Sequence, residues 1–523
     1  MENFKRNISR MGLLGTALTG IIGSGWLFGP FYAARMAGPG AIISWVIGGL
    51  LMMLVALTFV ELACVLPKSG SLVRFAHMTH GPLVGLVFGW VAWLSSVTVP
   101  PIETLALIQY AANYSPSLMI DQGQDRVLSL QGLLLSAVLL LFMCWLNRFG
   151  GKKAVHFNTF IVILKVIVPI LTIVLLLSHG LNLPTLIAVH GMLPYGWQGV
   201  LSALPTAGVV FSFIGYSAAL QMAGEARDPQ KTLPFAILGA LIIGIVFYVT
   251  VQTVFIGALP LSTVQGGWHT LHYAHDAGPV AGLMLGLGFT WFLGILYFDA
   301  LVSPFGTAYA YTMTSGRVNY ALADNGHMPA FFKQLNRHHV PWRALKFNYI
   351  CGLVLLMPFP AWQRLVGFLV TAFVLVYSVG PLSVIALRYQ QPDLERPFRL
   401  PCVHVLSFCA FYSCNLMFYW TGWQTISKLI GLIALGGIVL WVIQSLGHRE
   451  IEKSDIVRAW WLGLHLLSMG VVSYLGTFGG GLGIIPFGWD LLAIGAVSIL
   501  TFVTAIRAVY LQAPNQTTSQ IVI

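Results

Sequence analysis

Apolar runs of about 20 residues, the length that crosses a hydrocarbon core, recur along this chain with only short polar connections between them. The pattern predicts fourteen membrane-spanning helices at 11–36, 41–66, 83–113, 128–146, 158–180, 198–223, 235–259, 280–313, 344–360, 364–388, 402–423, 427–446, 459–478 and 485–510. No room is left for a separate soluble domain. The first span follows "MENFKRNISR", which looks like the head of a signal peptide. Its apolar stretch is long and no small-residue cleavage site precedes span 2, so it reads as a retained helix.

Two spans look built to break. "TGIIGSGWLFGP" puts Gly20, Gly23, Gly25 and Gly29 into a segment as apolar as its neighbours, and each glycine costs a helix roughly 1 kcal/mol relative to alanine. Span 6, "TAGVVFSFIGYSAALQMAGEARDP", has Gly215 between two helical halves. An odd number of steps separates spans 1 and 6, so they cross the membrane in opposite directions. Small residues also permit close helix packing. A pair of interrupted helices at corresponding places of two inverted halves points instead to a secondary transporter's midplane site. Irregular backbone at that depth is tolerated only where protein or a water-filled cavity satisfies it. A break at Gly23 to Gly25 frees N–H groups at the start of a half-helix, where the positive end of the dipole holds a carboxylate. Carbonyls freed in span 6 can receive an ammonium group.

Composition agrees with the pattern: 57% of residues are hydrophobic, 8% are charged, and mean hydropathy is +0.82. Charge adds an orientation. With a cytoplasmic N-terminus, 22 of the 27 Lys and Arg fall on the inner side, while Arg35, Arg126, Arg364 and Lys428 fall outside and Lys165 lies within a span. This is the positive-inside bias, and it places the C-terminus inside as well. The net charge of +11 is thus a topology signal; basic residues facing anionic lipid account for it, and nucleic-acid binding is unsupported. Six scattered cysteines without CxxC spacing indicate neither a disulfide framework nor a zinc site. "NRHHV" at 336–340 reads as solvated loop, and no metal or cofactor is expected. HExxH, GxSxG and Walker motifs are missing, which removes the sequence basis for an intramembrane hydrolase or an ATP-driven pump.

The chain resembles the amino acid/polyamine/organocation transporter superfamily over residues 8–390. The resemblance is carried by "GIIGSGWLFGPFYAARMAGPGA", "VELACVLPKSGSL", "FSFIGYSAALQMAGEARDPQKTLP" and "SGRVNYALADNGHMPAFF". It implies an all-α polytopic membrane protein with the leucine-transporter fold. Two inverted five-helix repeats, 11–180 and 198–388, would follow a cytoplasmic segment 1–10, with four accessory helices over 402–510 and a tail at 511–523. "GSGWLFGPFYAARMAGPGA", "PPIETLA" and "DALVSPFGT" look most similar to the bacterial aspartate/proton symporter group, which implies a bacterial inner membrane.

Carried over position by position, the resemblance puts the substrate on Ile22, Gly23, Ser24 and Gly25 of the first break and on Phe211, Ile214 and Gly215 of the second, with Phe211 as an aromatic gate. Several proton-coupled relatives carry a glutamate shortly after the span 6 glycine, whereas this chain has Tyr216 and Ser217. Other ionisable groups must then carry coupling, and those inside spans are costly and functional by default. Lys165 matches the lysine whose ammonium takes the place of a sodium ion in sodium-driven relatives; a buried amine can load and release a proton. Asp299 shares a helical face with Ser303 and is expected to pair with Lys165. Glu103 follows Pro100 and Pro101, which kink span 3, and is a proton site or a substrate selector. Glu61 and Glu225 are expected to pair at an inner gate with Arg74 or Arg227. Asp490 reads as solvated, and Arg35 is a candidate contact for a substrate side chain.

The function this implies is proton-coupled symport of an amino acid, acidic in type, by alternating access. Its partners are then a small amino acid, protons and membrane lipid. An exchanger for neutral or cationic amino acids and a membrane amino acid sensor are the alternatives. An enzyme is disfavoured, because the intramembrane ionisable groups form no nucleophile, base and orienter set. Symport against exchange, proton number, oligomeric state and the role of the last four helices stay open.

Overall fold

A computed structural model of the chain describes residues 6 and 8–510, apart from short stretches at 69, 123–124, 150–151, 183–186, 188–190, 274–277, 339, 358–360 and 446–452. His339 and the outermost parts of both tails lie outside the described residues.

The protein is an all-α polytopic membrane protein whose helices occupy all fourteen apolar stretches. Span 1 is divided between α1 (Arg10–Ile21) and α2 (Gly25–Ala37), followed by α3 (Ala41–Val65), α4 (Ser71–His80) and α5 (Pro82–Ala111). A hairpin of β1 (Met119–Gln122) and β2 (Asp125–Leu128) joins α5 to α6 (Leu130–Asn147), and α7 (Lys152–His179) follows. Span 6 is α8 (Gly196–Thr206), α9 (Val209–Phe213) and α10 (Ser217–Gln221), and span 7 is α11 (Pro229–Gly257). The stretch of span 8 holds α12 (Pro279–Gly286) and α13 (Leu293–Asp324). After α14 (Trp342–Leu356) come α15 (Trp362–Tyr377) and α16 (Val379–Gln390) within span 10. The last four helices are α17 (Val403–Trp420), α18 (Trp423–Ser445), α19 (Lys453–Leu475) and α20 (Trp489–Tyr510). Among the described residues, nine helices are long and apolar enough to cross a membrane, or ten when the bent pair of span 6 counts as one.

Burial separates the layers. Every residue of the most apolar window of α15 and α16 is inside the protein, as is 78% of that of α5, against a third of those of α6 and α20. The long α13 packs along α5, and α11 packs along both α1 and α3. Pro100 and Pro101 lie inside α5 without ending it. Two elements escaped the sequence pattern: the short α4 and the β-hairpin, both too short or too polar to register as spans.

The two broken spans and their flanks meet backbone to backbone. Ile8 forms a parallel bridge with Ala226, its N–H donating to the Glu225 carbonyl at 3.0 Å and its carbonyl accepting from Arg227 N–H at 2.8 Å. Deeper, α1 crosses span 6 backbone to backbone. A Cβ on Gly20 would stand 2.6 Å from the carbonyl oxygen of Gly215, and one on Gly215 would overlap the backbone of Gly20 and Ile21. Only glycine lets the helices come this close.

Candidate functional site

Helix α1 ends where Ile22 leaves helical geometry (φ −93°, ψ 85°), and α2 starts with Ser24 as its N-cap. The break thus falls on Ile22, Gly23 and Ser24, and it creates the orphan backbone groups of any helix terminus. The carbonyls at the end of α1 are taken up by other helices. Tyr248 of α11 donates its hydroxyl to Ile21 O at 2.7 Å, Ser303 of α13 lies 3.4 Å from Ile22 O, and Thr19 O accepts from Lys165 Nζ at 3.0 Å and Thr307 Oγ1 at 3.1 Å. The Lys165 ammonium also donates to Thr307 Oγ1 at 2.6 Å. On the other side of the break, Ser24 N–H donates to Glu103 Oε2 at 3.0 Å. Lys165 and Glu103 are both enclosed, at 1% and 0% exposure.

The charges match the dipoles. A cation sits at the C-terminal end of α1 and an anion at the N-terminal end of α2, the favourable sign at each. Glu103 Oε1 has no hydrogen-bond partner among the described residues and lies where a Cβ on Gly23 would come within 2.8 Å of it, beside Thr307 Oγ1. A side chain at Gly23 would have to displace Glu103 Oε1 and Thr307 Oγ1, and one at Gly25 the Ser212 hydroxyl of α9.

Aromatic rings close this centre. Trp362 Nε1 donates to Ser24 Oγ at 3.0 Å, and its indole stacks on Phe28 with centroids 5.0 Å apart and on Tyr32 at 5.6 Å. Phe211 meets the same indole edge-on at 5.8 Å. Trp45 stacks on Tyr248 at 4.3 Å, orienting the hydroxyl that holds Ile21 O. Trp362, Tyr248 and Thr307 were not singled out from the sequence. Nothing in their local pattern distinguishes them from core residues; their role follows from which span faces the break.

Span 6 differs from the expectation at Gly215. The main bend, 43°, falls earlier, at Ala207 and Gly208, where Gly208 takes a left-handed φ of 92°. Ile214–Tyr216 is a turn of 3-10 helix, with Ile214 O accepting from Tyr377 Oη at 3.3 Å.

Several expected pairs are replaced by others. Asp299 is buried one turn before Ser303, yet no ion pair joins it to Lys165; the group that faces its carboxylate is the indole Nε1 of Trp26. Glu61 pairs with neither Arg74 nor Arg227. It takes a bidentate contact from Arg388 at 2.9 and 2.7 Å, lies 3.7 Å from Arg396, and accepts from Leu400 N–H at 2.7 Å. Burial lowers the Arg396 guanidinium from its ordinary value, and Glu61 beside it works in the opposite direction. Glu225 lies 2.8 Å from Arg317, and Arg74 is 3.1 Å from Asp324. Arg227 is exposed. The reason is geometric: α16 and α13 return to the same end of the bundle and bring nearer partners. Arg35 is spent on the His269 carbonyl at 3.2 Å and lies over the Phe31 ring, away from the break. Asp490 is fully buried, accepting from Tyr419 Oη at 2.7 Å and from the N–H groups of Gly488 and Leu491 at 2.8 Å. Among the described residues no group of three His, Cys, Asp or Glu is disposed to hold a metal.

Discontinuous helices around an enclosed polar centre are a feature of secondary transporters. The chain belongs to the amino acid permease family, whose model matches residues 8–443. It is 35% identical to the glutamate/serine transporter AimA of Bacillus subtilis over 98% of this chain and 95% of the relative. It is 32% identical to the aspartate-proton symporter of the same organism, over 95% and 96%. The branched-chain amino acid permease BcaP, also of B. subtilis, matches at 27% over 86% and 96%.

Proposed function

We propose that this protein imports an amino acid, acidic in type, together with protons, by alternating access across a bacterial inner membrane with both termini in the cytoplasm. Amino acid transport follows from the family and from relatives named for aspartate, glutamate and serine. The observation that carries proton coupling is the seat of Lys165: a single enclosed ammonium bridges the end of α1 and Thr307 of α13. It joins elements of the two halves expected to rock against each other, residues 11–180 and 198–388. A fixed ammonium there takes the coordination a metal cation would need, so sodium is not required. Release of its proton would weaken both bonds, because a neutral amine is a poorer donor than an ammonium, and so loosen α1 from α13. The membrane potential supplies about 2.3 kcal/mol per charge at 100 mV, enough to make such a cycle run uphill for substrate.

In this reading the substrate carboxylate binds the N–H groups of Ser24 and Gly25, its ammonium faces the span 6 turn at Ile214 and Gly215, and Phe211 closes over it. Glu61, Glu225 and their arginines form the inner gate, and residues 402–510 pack outside the repeats. A second reading, a small neutral polar substrate, is favoured by Arg35. With that guanidinium on the His269 carbonyl, Lys165 is the cation beside the break among the described residues.

The test is uptake of labelled aspartate, glutamate, serine and leucine into proteoliposomes under an imposed proton gradient or an imposed sodium gradient. Proton-driven aspartate or glutamate uptake that disappears in Lys165→Ala is expected. Serine uptake without aspartate uptake selects the second reading, and sodium-driven uptake overturns the assignment of Lys165.

A further inference from the structure

The donor that a substrate carboxylate would use is already occupied. Ser24 N–H, at the N-terminus of the thirteen-residue helix α2, points at Glu103 Oε2 3.0 Å away. The second oxygen, Oε1, is fully buried, has no hydrogen-bond partner among the described residues, and is turned toward the Gly23 backbone. Glu103 thus presents to the break the same group, a carboxylate on a helix N-terminus, that an amino acid would bring. We infer that Glu103 is a built-in stand-in for the substrate carboxylate, and that an amino acid binds only as Glu103 takes up a proton.

The argument is one of charge. Two carboxylates on one helix terminus in an enclosed site repel strongly at low dielectric. The other titratable groups that face Glu103 are Lys165 of α7, Tyr248 of α11 and Tyr311 of α13, with Asp299 of α13 acting on Lys165. Lys165 is the single cation in this set, faces the Asp299 carboxyl as well as Glu103, and is already spent on Thr19 O and Thr307 Oγ1; it cannot balance a further carboxylate. A proton taken from water onto Glu103 as the substrate arrives cancels one of the two carboxylates at this helix terminus; with the substrate's own ammonium counted, the net charge of the site is then unchanged for aspartate or glutamate and rises by one for serine. The same proton turns Oε1 or Oε2 from an acceptor into an O–H donor, able to hydrogen-bond the incoming carboxylate. Ser24 N–H passes to the substrate, and on release Glu103 loses its proton and recaps α2. Glu103 is then a positioning and selecting group whose occupancy alternates with that of the substrate.

This inference rests on the reading of Ser24 as a substrate donor, and the two fail differently. Binding of labelled L-aspartate, L-glutamate and L-serine to the purified full-length protein in detergent is measured from pH 5 to 9. For the wild type, affinity is expected to fall by up to tenfold per pH unit across the titrating range, the limit for one linked proton. Glu103→Gln, a fixed neutral mimic, is expected to flatten that slope and to hold at pH 8 the affinity the wild type reaches at pH 5, while Glu103→Asp keeps a slope. A Glu103→Gln slope equal to that of the wild type overturns the inference. If the variant does not fold, proton uptake by the wild type on adding substrate in weak buffer decides: about one proton per bound amino acid is expected, and none overturns it. Should Ser24 instead not be a substrate donor, none of these amino acids binds even at pH 5, and it is the reading of the site that falls.

Discussion

The interruptions in spans 1 and 6 meet at Gly20 and Gly215, yet the protein equips them in opposite ways. Around the first, side chains from α5, α7, α11, α13 and α15 reach in, and two of them, Glu103 and Lys165, are charged. Around the second, the partners are neutral: Ser212 donates to Gly208 O at 2.8 Å, Tyr377 lies near Ile214 O, and Ser217 is 3.3 Å from Tyr311 Oη. The first break is an electrostatic site, held open by paying each orphan group with a partner from another helix. The second is a steric one, a bend and a tight turn that bring Phe211 and the Gly215 backbone against the first. Symmetry of sequence pattern does not imply symmetry of chemistry.

The sharpest way to break this comparison is at the contact itself. Gly215→Ala would drive a methyl group into the backbone of Gly20 and Ile21, which cannot rotate away. Overpacking of this kind costs about 3 kcal/mol or more when the neighbour is main chain. Thermal unfolding in detergent should show a large loss of stability or no folded protein at all. A fully stable Gly215→Ala would mean that the spans do not approach this closely.

Next in size is Thr307→Val, which keeps the shape but takes from Lys165 its 2.6 Å partner and from Thr19 O its second donor. An ammonium left short of an acceptor in an enclosed site costs about 1–3 kcal/mol. Uptake should fall by about tenfold or more while Thr307→Ser, which keeps the hydroxyl, recovers most of it. Equal loss in both variants would assign Thr307 to packing alone. Smaller again is Trp362→Phe. The ring stack on Phe28 survives in part, and only the bond to Ser24 Oγ at 3.0 Å is lost. That bond contributes about 1 kcal/mol, so substrate affinity should weaken about fivefold with little change in maximal rate. A matching change at Phe211→Tyr would place the recognition on span 6 instead.

The sequence was informative where backbone chemistry is local. Glycine spacing located the first break to within a residue, and apolar run length put a helix in each stretch, although the long helix of span 8 begins about ten residues later than expected and runs on to Asp324. In span 6 the interruption expected at Gly215 is there as a turn of 3-10 helix, but the larger bend at Gly208 was not legible, because both glycines are plausible breakers in "TAGVVFSFIGYSA"; what separates them is the Trp362 ring against Gly208 and the backbone of α1 against Gly215. Partners across the bundle were not legible. Glu61 has several arginines within reach by topology, and only the return of α16 and the following loop selects Arg388, Arg396 and the Leu400 N–H. Asp490 looked solvated because its partners are a tyrosine on α17 and two main-chain N–H groups, none of which a charge pattern reveals.

The smallest expected effect bears most directly on substrate choice. Arg35 carries the one guanidinium on span 1 that could have met a second substrate carboxylate, and the structure engages it with the His269 carbonyl and the Phe31 ring, with Tyr195 hydrogen-bonded to the same histidine at 2.9 Å. If its role is confined to the outer end of α2, Arg35→Gln removes partly exposed contacts such as the one to His269 O, each worth about 0.5 kcal/mol or less, and the ratio of aspartate to serine uptake should stay within about twofold of the wild type. A selective loss of aspartate would mean that Arg35 leaves His269 during the cycle and swings toward the break. Discrimination between acidic and neutral side chains would then belong to a different state of the outer end of α2. An unchanged ratio instead leaves that discrimination to the groups at the break itself, where Glu103 and Lys165 set the charge that any substrate must fit.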